Sequence, residues 1–241
     1  MKFNQCLYTY LDTNYNLNST AKMLLMIGLV LACVIIPYLL GSVNFAVILS
    51  KIKYKNDIRD YGSGNAGTTN MLRTFGKGAA AFTLLGDMAK AAVAVVFGAL
   101  IWVDGAFIAG LFCVVGHIFP CWFHFRGGKG IAPTAMVILL TSPPTFLILL
   151  IIFVIIVVGT KYVSLGSVMC ALLYPLLLSR FGGVGVNVIM AFMITILVVV
   201  MHRGNIKRIL NKTESKISFS KNNNNHKDVE VKENADNGNE K

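Results

Sequence analysis

The stretch YGSGNAGTTNMLR, residues 61–73, carries Gly62, Gly64 and Gly67 in the spacing G-x-G-x-x-G, and Asp87 stands twenty residues after the last of them. In a soluble βαβ unit this is a dinucleotide-binding fingerprint, with the acidic residue placed for a ribose hydroxyl. The same residues also allow simpler chemistry. Glycines let backbone N–H groups close around an anion. Ser63, Asn65, Thr68, Thr69 and Asn70 add neutral donors, and Arg73 adds a forked cation suited to phosphate. The competing reading is a flexible polar loop between helices, but so dense a set of phosphate-compatible groups favours an anion site.

Three further clusters repeat parts of this chemistry. In GHIFPCWFHFRGGKGIAPT, residues 116–134, Arg126 and Lys129 lie among Gly127, Gly128 and Gly130, and a helix follows. No Ser or Thr follows Lys129, so this is not a Walker A loop. Taken alone it reads equally well as a positively charged loop with turn glycines. His117 ends an apolar run and reads as a satisfied structural histidine. KYVSLGS offers Ser164 and Ser167, and HRGNIKR offers His202 and Asn205; each pair is spaced i,i+3 and shares one side of a helix. Alone, such serines are more often packing hydroxyls, and such a histidine an interface anchor.

The elements that must position these groups are membrane helices. Of 241 residues, 55% are apolar and 14% charged, with a mean hydropathy of +0.66, whereas a soluble domain carries about 25% charged residues. The net charge of +11 is explained by cytoplasmic loops and anionic headgroups rather than by nucleic acid. Five scattered cysteines without C-x-x-C spacing read as small hydrophobes. No metal cluster and no cofactor signature is present. The uncharged run 23–50 is too long for a signal h-region and reads as a retained span.

A helix needs ~20 apolar residues to cross the hydrocarbon core. Runs 23–49, 78–103, 105–123, 162–179 and 181–201 qualify. The uncharged run 130–160 is interrupted by Ser142-Pro143-Pro144, and consecutive prolines break a helix. It is one span or two short ones. Reading it as two places the basic segments 51–77, 126–129, Lys161 and the tail from Arg203 on one face, with Arg180 the single exception. The fold expected is therefore all-α and polytopic, with about seven transmembrane helices, two of them short. The N-terminus lies outside and the C-terminus in the cytoplasm. Residues 1–22 form a polar, Asn-rich extension and 23–209 the membrane-embedded domain. Residues 210–241 form a disordered cytoplasmic tail too poor in apolar residues to fold.

That setting rules out the dinucleotide reading, which needs a strand before the glycines; here a polar segment precedes them and Asp87 falls inside a span. The phosphate chemistry survives. All four polar clusters end on one leaflet, where a bundle gathers them into one basic, hydroxyl-rich pocket at headgroup level. Asp87 and Lys90, at i,i+3, pair with each other within the bundle. An intramembrane ion pair is a functional hypothesis by default, with a structural role equally open.

The segments GSGNAGTTNMLR, GHIFPCWFHFRGGKG, SLGS and HRGNIKR, in this order, resemble the bacterial acyl-phosphate:glycerol-3-phosphate acyltransferases over about residues 39–208. Four motifs in order are specific; none alone is. The resemblance implies a seven-helix fold in the bacterial inner membrane, with the active site near the cytoplasmic face. It implies transfer of a fatty acyl group from acyl phosphate to the 1-hydroxyl of glycerol 3-phosphate, giving lysophosphatidic acid and phosphate, the first step of phospholipid synthesis. By motif position it implies catalytic or binding roles for Ser63, Arg73, Lys129, Ser167, His202 and Asn205. Gly62, Gly64, Asn65, Asn70, Gly127, Gly128, Gly130 and Ser164 would then shape or line the phosphate site. Implied partners are the two substrates and membrane lipids, with room for contact with the enzyme that supplies acyl phosphate.

The H-x4-D motif of the other main acyltransferase type is absent: five residues past each histidine stand Trp122, Lys129, Lys207 and Val231. The chain departs from the family pattern at Thr68, at Arg126, in "IAPT", in "GSVN" at 41–44 and at Ala91, where Gly is usual. Of these, Pro133 bears on how the helix after the lysine loop begins. Catalysis is expected to be electrostatic and positional, with substrate phosphate taking the proton and His202 the single side-chain base in view. The rival function is a transporter of phosphate or an organophosphate. It needs a polar path through the membrane, and the outer ends of the spans offer little beyond Asp104 and Arg180.

Overall fold

Apolar runs punctuated by Gly, Pro and Asn become helices joined by short, irregular turns. The computed structural model describes residues 6–15, 18–102, 104–182 and 185–217, all-helical with no strand among them. A short α1 (Leu7–Tyr15) precedes α2 (Ser19–Ser42), whose first turn is capped by the Asn18 side chain. A second asparagine restarts the chain: Asn44 caps α3 (Phe45–Tyr54) through Val47 N at 3.0 Å. The long α4 (Thr68–Ile101) is broken at Gly76, where φ is +84°. That break divides a polar first segment from the membrane span.

After α5 (Gly105–Ile118), the aromatic turn and lysine loop lead to α6 (Ile131–Thr141). Then come α7 (Pro143–Thr160), α8 (Val163–Gly182), α9 (Val186–Met201) and α10 (Arg203–Leu210). Five helices are long and apolar enough to cross a membrane, and α9 with α10, bent by 55°, makes a sixth. The seventh is α6. The prolines divide run 130–160 unequally rather than into two short spans. The 11 residues of α6 reach only about 16 Å at 1.5 Å per residue, half the core thickness, whereas α7 has 18 residues. Only one half is therefore short. Pro143 is harmless because it opens α7, where its missing N–H would have no partner anyway. Pro133 sits in the first turn of α6 for the same reason.

The helices form two groups: α2, α4, α5 and α6 pack together, α7, α8 and α9 pack together, and α5 meets α9. Small residues bring α2 and α5 close: a Cβ on Gly41 would fall 2.1 Å from the Cys113 carbonyl oxygen. The core between the groups includes Leu111, Ile138, Tyr174 and Ile194. The outer faces are apolar too, with Leu85, Ile151, Ile155 and Ile196 exposed, as lipid contact requires. The N-terminal extension expected over 1–22 contains α1 and the first turn of α2. Of the tail expected over 210–241, residues 210–217 are described and pack against the bundle, Leu210 as the last residue of α10; the remainder lies outside the described residues.

Candidate functional site

The two groups leave a cavity of about 600 Å3 between them. One end is polar and the other is walled by aliphatic and aromatic side chains of α6 to α9. Ser63, Asn65, Asn70, Arg73, Lys129, Ser164, Ser167, His202 and Asn205 all line it, so residues from four separate segments meet in one place. Asp87 and His117 reach its wall as well.

Asn70, expected as a donor to phosphate, instead holds the first loop together. At Gly62, φ is +57° and at Gly64 +69°, a left-handed backbone that glycine adopts without strain. The Asn70 amide spans the resulting loop: its oxygen accepts from Ser63 N at 3.0 Å, and its Nδ2 donates to Tyr61 O at 2.9 Å and Ile58 O at 3.2 Å. Asn70 therefore shapes the loop, its amide already committed. Gly62, Gly64, Gly127, Gly128 and Gly130 stand behind the cavity lining rather than in it, while Gly67 lines it. Thr68 and Thr69, in the first turn of α4, and Ile131 and Ala132, in the first turn of α6, also line the cavity. Neither helix has a side-chain cap, and free N–H groups at a helix start attract anions.

The two glycine-rich loops are tied together by Arg59. It pairs with Asp57 through Nε at 2.9 Å and Nη2 at 2.7 Å, and its Nη1 donates to Phe123 O at 2.8 Å. This fork holds the Asp57 carboxyl down at about 2.

At the polar end Glu214 sits among cations. The Lys129 ammonium donates to Asn205 Oδ1. Asn205 Nδ2 and Ser164 Oγ both donate to Glu214 Oε1, at 2.6 Å and 2.7 Å, and Arg208 Nε donates to Oε2 at 2.8 Å. Burial pushes the Glu214 carboxyl up, but these donors outweigh it and hold it below the usual carboxylate value. Burial pushes Lys129 down to about 8, against the pull of Glu214, with Arg208 and Arg73 pushing it further down. Arg73 reaches across to Ser215 O at 3.1 Å, and Ile217 N donates to Lys161 O at 2.9 Å. His202 Nδ1 lies 2.7 Å from Val198 O; donating there leaves Nε2 as an acceptor. Ser167 Oγ donates to Val163 O at 3.0 Å.

Sequence reading missed Glu214 and Arg59. Glu214 sits in an Asn- and Lys-rich tail and looked like solvated charge; its one signal was being a lone acid in a basic stretch after α10. His117 is buried and satisfied, and its partners are an ion pair: its Nδ1 is 3.1 Å from Lys90 Nζ and 3.5 Å from Asp87 Oδ1. The expected Asp87–Lys90 pair is present at 2.9 Å.

Comparison with known proteins gives one consistent answer. The family model for glycerol-3-phosphate acyltransferase matches residues 31–212. The chain is 46% identical over 184 residues to a glycerol-3-phosphate acyltransferase of Thermoanaerobacter pseudethanolicus, covering 76% of this chain and 93% of the relative. It is 40% identical over 188 residues to one of Bradyrhizobium sp., covering 78% and 94%. Among solved structures it resembles PlsY, an integral membrane glycerol 3-phosphate acyltransferase. The glycerol 3-phosphate form shows a TM-score of 0.72 and 35% identity over 78% of this chain and 96% of that one. The lysophosphatidic acid form shows 0.70 and 33% over 78% and 95%.

Proposed function

The chain belongs to the glycerol-3-phosphate acyltransferase family, and on that premise we propose that it moves a fatty acyl group from acyl phosphate to the 1-hydroxyl of glycerol 3-phosphate, releasing lysophosphatidic acid and phosphate. The observation that carries this reading is a cavity with two kinds of wall, a cationic and hydroxyl-rich mouth continuous with an apolar gallery. A water-soluble phosphate ester and a lipid-soluble acyl donor can meet only in such a space. The Lys/Arg-rich end, with the mouth, faces the cytoplasm of a bacterial inner membrane.

Lys129, Arg73 and the starts of α4 and α6 hold the phosphoryl group of glycerol 3-phosphate. Ser63, Ser164, Ser167 and Asn205 orient the glycerol hydroxyl and the acyl phosphate. The hydroxyl oxygen attacks the acyl carbon, the bond from that carbon to the phosphate oxygen breaks, and the hydroxyl proton passes to the departing phosphate. Negative charge builds on the carbonyl oxygen during attack, so fixed donors and cations supply the catalysis. His202 Nε2, left as an acceptor, orders the incoming hydroxyl.

The test is purified protein in detergent, given palmitoyl phosphate and glycerol 3-phosphate. Lysophosphatidic acid is the expected product. Its absence from folded protein, together with glycerol 3-phosphate uptake in proteoliposomes, would replace this reading with the transporter.

A further inference from the structure

Asp87, Lys90 and His117 are 1%, 6% and 3% exposed, and a bland ion pair does not account for their contacts. Lys90 Nζ has three protons and four neighbours. It donates to Gly41 O at 2.8 Å and to Val43 O, acceptors left open where α2 ends, and it lies 2.9 Å from Asp87 Oδ1 and 3.1 Å from His117 Nδ1. The three protons match the two carbonyls and His117 Nδ1, which accepts the third, while Asp87 is held by charge alone, 2.9 Å from Lys90 Nζ and 3.5 Å from His117 Nδ1.

From His117 the connection runs straight to the lysine loop. Gly128 N donates to His117 O and Gly127 N to Ile118 O, each at 3.1 Å. A Cβ on Gly128 would fall 2.1 Å from His117 Nε2, so only glycine lets the loop lie against the imidazole face. Lys129 is the next residue. On the other side, Val43 precedes Asn44, whose Nδ2 donates to Ala66 O at 3.3 Å in the glycine loop. The cluster thus sits between the two phosphate-compatible loops.

Burying an ion pair in a membrane domain costs desolvation that apolar packing would avoid, so retention for helix packing alone is a poor explanation. We infer that Asp87, Lys90 and His117 are positioning residues: a buried lock that fixes the Gly128–Lys129 segment over the cavity mouth. This rests on the reading of Lys129 as a phosphate-holding group.

The test is a double-mutant cycle on detergent-purified protein with both substrates varied. Asp87→Asn keeps the shape and removes the charge; His117→Ala removes the ring. Each is expected to raise the KM for glycerol 3-phosphate by about 10–100-fold through misplacement of the ammonium, leaving the KM for acyl phosphate unchanged. In a Lys129→Ala background neither adds a further loss, because there is no ammonium left to misplace. Glycerol 3-phosphate binding, read as a shift in melting temperature, supplies the same cycle where turnover is too low. Losses that multiply in the Lys129→Ala background would overturn the lock, as would wild-type kinetics in folded Asp87→Asn and His117→Ala beside an impaired Lys129→Ala. Should Asp87→Asn not fold, His117→Ala is judged alone by both criteria. Wild-type behaviour of Lys129→Ala would instead refute the role of the lysine, and the lock with it.

Discussion

The mouth of the cavity is made from loops and helix ends, its gallery from the middles of α6, α7, α8 and α9. The contrast follows from what a bilayer permits. Mid-membrane backbone must be helical to satisfy its own hydrogen bonds, so a gallery can vary only in side-chain size. Free N–H groups, bent glycines and long cations are available where helices stop. On the proposed reaction the mouth carries the polar chemistry and the gallery selects the chain. Variants in the two regions should alter different kinetic constants.

The largest effect is expected at the mouth. Lys129→Ala should lower kcat/KM for glycerol 3-phosphate by about 10²–10³-fold, by loss of a preorganised cation. The size of the defect should be the same for short and long acyl phosphates, and a defect that depends on chain length would break the division. Arg73→Ala follows, at about 10–100-fold on the same constant, the worth of a charged hydrogen bond. Arg73→Lys should recover only part of it, since the fork is lost.

The gallery is tested by Ala135→Phe, which narrows the wall contributed by α6. Each methylene shut out costs about 0.8 kcal/mol, or about fourfold in KM per carbon, so long acyl phosphates should suffer most in a chain-length series. The KM for glycerol 3-phosphate should stay put.

A pH profile sharpens the account of the mouth. Lys129 in the free enzyme loses its proton as pH rises through about 8. The KM for glycerol 3-phosphate should be flat below that point and climb above it, by at most about tenfold per unit. Because Glu214 supports the charged lysine, Glu214→Gln should move the break to lower pH. The smallest effect is on stability. Asp57→Asn should cost about 1–3 kcal/mol in unfolding at neutral pH through the loss of charged hydrogen bonds. The Asp57 carboxyl is held below its ordinary 3.8, so the stabilisation is present above 3.8. The gap between wild type and variant should therefore shrink as pH falls toward about 2.

The spans were legible because each is a local excess of apolar residues, and Pro143 marks its break in the sequence; the restart at Asn44, inside the expected span 23–49, and the kink at Gly76 were not read there. The unequal split of 130–160 was not legible either, since Ser142 and its prolines mark a break without saying how deep in the membrane it lies. Ser63, Arg73, Lys129, Ser167, His202 and Asn205 were legible as residue types in loops and helix ends. Glu214 was hidden because a carboxylate in a polar tail differs from a solvated one only in the neighbours it finds, here Ser164 fifty residues away.

By itself, the sequence determined that this chain lives in a membrane, where its helices run, and that its polar groups gather at their basic ends. Those are sums over neighbouring residues, and hydrophobic transfer is additive along a chain. Tertiary structure alone decided that Arg59 clasps the lysine loop, that Glu214 sits against Ser164 and Asn205, and that Asp87 and Lys90 meet His117. A buried polar group takes whichever partner the packing delivers, and direction and distance between helices are not written in any one of them.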